Sequence, residues 1–335
     1  MALAMPSGSF MALLLLLTAV PMAFIVSLER SASSGPHIGY HSKWWFRESV
    51  EWDDRGGRFI VSCFEGGLGQ IVVPDGEFSG ALEEETAVAA LKELPGISFL
   101  GIRVDRRRNR LLVVLADVLR GRFGGVAAYD LDSWQQLFLT QLSGPDVKTL
   151  ADDVAVDDDG NAYVTDAKDS KIWKVGVNGE LLSTIQNDLF TERKEWYLNF
   201  VGLNGIVYHP SGFLLVIHTS TGSLFKVDVD KELVSKVEIV QGSLMLGDGM
   251  ALLSATQLVV AGTPSSRLVE SLDGWKTAKV IGRYIGPMHR IASAATVKDG
   301  KTYVNHIVGL GLGKSRHLIT EAVFLPVNAS SGWLW

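Results

Sequence analysis

Cysteine is all but missing from this sequence. Cys63 stands alone among 335 residues, so no intrachain disulfide can form and any stability outside the cell has to come from packing. It sits in the apolar run Phe59-Ile60-Val61-Ser62-Cys63-Phe64 and reads as a buried strand residue rather than a nucleophile. Basic charge is also short. A net charge of −6 and a pI near 5.7 leave no electrostatic footprint for nucleic acid, which is not expected as a partner. Helical patterning is confined to one place, residues 80–94, whose apolar positions approximate helical spacing. What the chain has in quantity is glycine, 35 residues, and 47% hydrophobic residues, the composition of a large core with many turns. All-β propellers and barrels reach this length as single domains.

Residues 1–35 stand apart from the rest. Residues 10–28 are almost unbroken apolar sequence, preceded by no Lys or Arg and followed by Glu29-Arg30 and the small cluster Ser31-Ala32-Ser33-Ser34-Gly35. Two readings fit: a secretory signal cleaved near Ser33, or an uncleaved anchor long enough to span a bilayer. Both place the globular part, residues 36–335, in the secretory pathway (extracellular, vacuolar or in the ER lumen), with membrane contact only in the second case. The sequon Asn328-Ala329-Ser330 agrees with that route and marks a candidate glycoprotein.

The globular part is a repeat built around residues 151–175. There a strand of small and β-branched residues, Ala151 to Val156, meets the acidic turn Asp157-Asp158-Asp159-Gly160-Asn161. A second strand follows to Asp166, then a third at Ile172-Trp173-Lys174-Val175. Gly160 and Asn161 accept the positive φ that a tight hairpin needs. The same strand–turn–strand pattern recurs at residues 48–73, 101–129, 204–227, 248–261 and 291–304. A small sheet cannot cover both of its own faces, and radial packing of such sheets solves the problem. The expectation is therefore an all-β, six-bladed propeller of one domain. It carries one short helical insertion at 80–94 between blades one and two, and the tail at 322–327 pairs with the start of the chain.

Aligning the units on their turns and counting four residues back along each first strand gives Glu48, Asp152, Asn204 and Asp248. Equivalent positions on innermost strands converge on the axis at one face. Three carboxylates meeting without a counter-charge repel each other, and a hard dication removes the conflict. An oxygen-only donor set without His or Cys favours Ca²⁺. Glu51 and Asp153 compete with their neighbours for the ligand role, because a one-residue shift swaps strand faces. His218 and His306 fall near the ends of second strands and read as satisfied or exposed strand residues. The arginine-rich run 103–110 reads as a solvated hairpin turn, and Trp44-Trp45 as a cover for the first blade.

These residues resemble a known family. Glu48-x-x-x-Trp52-Asp53, the run from Asp153 to Asp166, Asn204-Gly205-Ile206 and Gly247-Asp248-Gly249 are similar to motifs of the calcium-dependent propellers. That family includes gluconolactonases, senescence marker protein, luciferin-regenerating enzyme, diisopropylfluorophosphatase and paraoxonases. The likeness spans residues 40–327 and is nearest to a plant-type, calcium-dependent phosphotriesterase-like branch. It implies that Glu48, Asn204 and Asp248 are calcium ligands, with Asp152 standing where the family usually has Asn. The gluconolactonase arginine two residues before that position is Leu150 here, which argues against sugar lactones. The implied activity is hydrolysis of a small lactone or phosphotriester by a monomer. Calcium would polarise the carbonyl or phosphoryl oxygen, with Asp152 or Asp248 as base or nucleophile. A non-catalytic propeller with a structural calcium is the alternative. Strictosidine synthases share the architecture without calcium, and the intact Glu48, Asn204 and Asp248 set speaks against them.

Overall fold

A computed structural model of the chain describes residues 23–28, 35–73, 82–90, 94–144, 147–191, 195–287, 289–310 and 314–327. Most of the N-terminal apolar segment and the sequon at Asn328 lie outside the described residues. Among the described residues no helix is long and apolar enough to cross a membrane.

Antiparallel meanders make up nearly everything else. The chain starts with β1 (His37–Ser42), which is taken up by the last sheet. The first meander is β2 (Arg47–Asp53), β3 (Arg58–Cys63) and β4 (Gly67–Val72). β5 (Leu82–Glu84) then leaves to pair in parallel with β1, and β6 (Thr86–Ala89) returns to flank β4. The second runs β7 (Ser98–Asp105), β8 (Arg110–Ala116), β9 (Gly124–Asp130), β10 (Gln136–Gln141). The third is β11 (Ala151–Val156), β12 (Ala162–Asp166), β13 (Lys171–Val175), β14 (Leu181–Ile185), and the fourth β15 (Leu203–His209), β16 (Phe213–His218), β17 (Ser223–Asp228), β18 (Leu233–Gln241). The fifth comprises β19 (Gly247–Ser254), β20 (Gln257–Gly262), β21 (Ser266–Glu270) and β22 (Thr277–Tyr284), joined to the fourth through a parallel β18–β22 pairing. Last come β23 (Ala292–Lys298), β24 (Lys301–His306) and β25 (Ser315–Glu321), completed by β1 along the full length of β25. β26 (Leu325–Pro326) pairs with β22.

Strands buried on both faces lose the alternation of polar and apolar residues, and β8 is the clearest case, apolar from Leu111 to Ala116 and buried throughout. Each hydrophobic cluster accordingly lies between two consecutive meanders. Val114 and Ala128 meet Val154 and Trp173, for example, and Leu215 and Ile217 meet Leu258 and Val260. The first strands touch in a cycle, β2 to β7, β7 to β11, β11 to β15, β15 to β19, β19 to β23 and β23 back to β2. This is the packing of a β-propeller. In the founding hairpin Gly160 alone takes the positive φ, at 90°. Asn161 is held instead by its backbone N–H and its amide, each donating to the Asp157 carboxylate at 2.8 Å.

Two expectations fail. The described part of residues 80–94 is strand, not helix, although Ala, Leu and Glu favour a helix intrinsically. Tertiary demands override that preference. The open edges of β4 and β1 both need partners, and the buried Arg47 needs an anion, which Glu85 supplies between β5 and β6. Gly69 leaves the room, since a Cβ there would overlap the Glu85 carboxyl group. The second failure is the closing contact. β25, not the 322–327 tail, pairs with the start of the chain, and the tail crosses to β22. Cys63 is buried as expected, against Arg47, and burial pushes its thiol pKa up.

Arg47 is fully buried, donates to Glu85, Cys63 and Ser42, and lies over Trp44. Arg47→Ala strands the 2%-exposed Glu85 carboxylate, and the expected loss in a urea unfolding titration is ~3–5 kcal/mol. Glu85→Gln, which keeps a neutral acceptor for the guanidinium, is expected to lose less.

Candidate metal centre at the channel mouth

The site begins with a backbone irregularity that the sequence does not announce. Every innermost strand carries a register shift at the same place: Arg47/Val50, Phe99/Ile102, Ala151/Val154, Leu203/Ile206, Gly247/Met250 and Ala292/Ala295. Two residues bulge there opposite one on the second strand, which re-aims a side chain. The first bulged residue is Glu48, Leu100, Asp152, Asn204, Asp248 and Ser293 in turn. Four of the six are the residues picked out by counting back from the turns, so they are structurally equivalent. The second bulged position is mostly small because the neighbouring strand comes too close. A Cβ on Gly205 would stand 2.2 Å from the Asp248 carbonyl oxygen, and one on Gly101 2.5 Å from Asp153 Cα.

Side chains on the second strands hold the bulges in shape. Ser62 Oγ accepts from the Ser49 N–H at 3.0 Å. Thr165 Oγ1 accepts from the Asp153 N–H at 3.1 Å and donates to the Asn204 carbonyl at 2.7 Å, tying the third meander to the fourth. In the last sheet the Asn305 amide donates to Ser293 Oγ at 3.0 Å.

The acidic residues feel one another. Burial raises the pKa of Glu48 well above the carboxylate range, and Asp248, Asp152 and Asp153 push it further. Asp152 is raised by burial and by Asp248, Asp153 and Asp166. Asp248 is pushed up to about 7 by burial and Asp153, with the Asn204 amide and the Gly249 N–H pulling the other way. Asp153, the second bulged residue, accepts from the N–H groups of Val154 (2.8 Å) and Ile206 (3.1 Å). Burial takes it to about 6 against the pull of Arg103. It is thus a carboxylate bonded to backbone. Asp248 Oδ1 is buried with no hydrogen-bond partner. Among the described residues no three His, Cys, Asp or Glu side chains form a ready-made metal cage. The donors nevertheless suit a hard dication: oxygen only, uncompensated, with one acceptor orphaned.

The residue most misjudged from sequence is Arg103. Far from lying in a solvated turn, it projects from β7 into the channel, ion-paired to Glu51 at 2.6 Å. Its Nη2 reaches the carbonyl of Met250 on β19 at 3.4 Å, across the ring. Glu51 is therefore a salt-bridge partner beneath the mouth. Arg110 is buried on Asp105 at 2.9 Å, so only Arg106, Arg107 and Arg108 serve the turn. The inward side of a bulged strand gives channel positions to residues that composition assigns to a loop. The histidines do not join the acids. His218 is buried with both ring nitrogens unpartnered, its pKa lowered to about 4 by burial. His306 Nε2 meets Thr320 Oγ1 at 3.1 Å.

No family model matches this chain, and no curated protein matches it. Solved structures do. It is similar to the major allergen Mala s 1 of Malassezia sympodialis, at 15% identity and a TM-score of 0.62 over 84% of this chain and 95% of that one. It is also similar to a protein of unknown function from Bacteroides caccae, at 15% identity and a TM-score of 0.52 over 72% and 82%. A chain of a nidogen/laminin complex matches at 14% identity and a TM-score of 0.54 over 74% and 85%. At these identities the likeness is one of fold, and that fold is β-propeller-like.

Carboxylates with pKa values raised in the folded state bind protons that the unfolded chain releases, so folding is favoured at low pH and the advantage fades as pH rises through the folded values. In chelator-treated protein the thermal midpoint is expected to fall between about pH 4 and pH 7, the interval from the ordinary Asp value to that of Asp248. Asp248→Asn should flatten the slope, and added calcium, which competes with protons for the same carboxylates, should offset the fall.

Proposed function

We propose that the chain is a six-bladed propeller that binds Ca²⁺ at the channel mouth and hydrolyses a small lactone or phosphotriester. The observation that carries this reading is the equivalence of Glu48, Asp152, Asn204 and Asp248 at one bulge position, with the Asp248 acceptor orphaned. These four residues would hold the ion. Bound there, calcium supplies a Lewis acid for a carbonyl or phosphoryl oxygen. Asp248 or Asp152, ionised beside the bound cation, would then serve as base or nucleophile toward an attacking water or the substrate. Arg103 and Glu51, ion-paired, line a cavity of about 360 Å³ with Val156, Val207 and Val297. The apolar N-terminal segment supports a place in the secretory pathway. A second reading is a non-catalytic module whose structural calcium would use the same four ligands.

The test uses protein lacking residues 1–33, stripped with chelator and titrated with calcium by calorimetry, then assayed on a panel of small lactones and paraoxon. Wild type is expected to bind one ion and turn over one panel member. Asp248→Ala should abolish calcium binding and lower kcat/KM on the order of 10²-fold or more. Binding without turnover on any panel member would favour the module, and no calcium binding would sink the site.

A further inference from the structure

The two ends of the strands present different surfaces. The hairpin turns, on the face away from the acidic mouth, are charged, as at Arg106-Arg107-Arg108 and Asp157-Asp158-Asp159. Among the described residues these turns expose one large apolar side chain, Leu272. The loops on the mouth face expose several. Leu119, after β8, is 97% exposed, and Phe200, before β15, is 75% exposed. Trp45 and Phe46 before β2, Leu246 before β19, and Ile285 and Ile291 between β22 and β23 are exposed as well. Apolar exposure concentrated at one end of a molecule marks an interaction surface.

Backbone hydrogen bonds between neighbouring loops hold these residues in place. The Gly309 N–H donates to the Trp45 carbonyl and the Ile307 N–H to that of Ile291, both at 2.9 Å. On the other side of the ring the Leu246 N–H donates to Thr219 (2.8 Å), the Thr219 N–H to Gly202 (3.0 Å) and the Gly202 N–H to Ala167 (2.7 Å). Glu65 accepts from the N–H groups of Trp45 and Phe46 at 2.7 and 3.2 Å, which fixes the backbone under both rings. Lys43, Arg120, Arg122, Lys148 and Lys168 are exposed on the same loops. Apolar and aromatic loop tips mixed with Lys and Arg suit the headgroup region of a bilayer. They are also spread around the mouth over several meanders, whereas a bound helix or extended peptide would need a groove or a strand edge. β1 enters the propeller from the turn side, with His37 opposite Thr320, so this surface is separate from the N-terminal apolar segment.

We propose that the mouth face docks on a lipid bilayer, its exposed apolar side chains entering the headgroup region and its Lys and Arg side chains at the level of the lipid phosphates. The ring closes from β1 at His37, so protein lacking residues 1–33 keeps every strand and loses the apolar segment as a second source of lipid binding. Co-sedimentation of that protein with vesicles of phosphatidylcholine and phosphatidylserine tests the proposal. EGTA is present throughout, so that calcium cannot bridge lipid to the acidic mouth. Saturable binding is expected. Leu119→Ser combined with Phe200→Ser should weaken it about twentyfold, because neither side chain can then leave water for lipid. Leu272→Ser, on the turn face, should leave it unchanged. Thermal midpoints are recorded for all variants, and if the double variant does not fold, Leu119→Ser alone, about fivefold weaker, carries the test. No saturable binding, binding indifferent to the mouth-face variants, or an equal loss with Leu272→Ser would each overturn the proposal. So would self-association in lipid-free sedimentation velocity that the mouth-face variants abolish, which would give the surface to a second copy of the chain.

Discussion

Every sheet in this protein is apolar on both faces, and that single constraint organises the rest. β8 and its counterparts cannot be stable beside water, so each meander must be covered twice. A cycle of first strands is the arrangement in which none is left uncovered. The clusters between neighbours are the structural unit of stability, and a residue such as Trp173 or Leu215 belongs to a seam rather than to its own sheet. The seams are not equivalent. Most are filled by branched and aromatic side chains, whereas the one between the fifth meander and the last sheet is rich in alanine.

Radial packing brings the innermost strands close together, with consequences for backbone and charge alike. The strands approach so tightly at the bulge that Gly101, Gly205 and Gly249 have no room for a side chain toward their neighbours. The residues just before them share one bulge position around the ring. Where those residues are acidic, burial and mutual repulsion raise their pKa values together. Just beneath, Arg103 and Glu51 neutralise each other. Acids whose ionisation is disfavoured thus lie near a closed ion pair.

Much of this was legible in the sequence. The repeat of strand, turn and strand and the four equivalent oxygen-bearing positions follow from spacing, because strand length and turn chemistry are local. What was not legible depended on distant partners. The Ala- and Glu-rich segment near residue 85 follows a helical pattern until a strand edge and a buried guanidinium elsewhere in the chain demand otherwise. Arg103 looks like part of a basic turn because proximity in sequence hides which face of the strand it occupies. The bulges are invisible for the same reason: two residues opposing one is a relation between strands.

The last sheet is finished by the first strand. β1 pairs with β25 from His37 opposite Thr320 to Ser42 opposite Ser315, so the contact that seals the ring joins residues separated by almost the whole chain. Contacts of such sequence separation are slow to form, because the closure entropy comes due before the contact rewards it. On a ribosome or at a translocon, the opening strand must wait until the closing one has been made. Until then its edge and the apolar face of the first meander stay uncovered. The interval between synthesis and closure is therefore the period in which this chain is most exposed to misassembly.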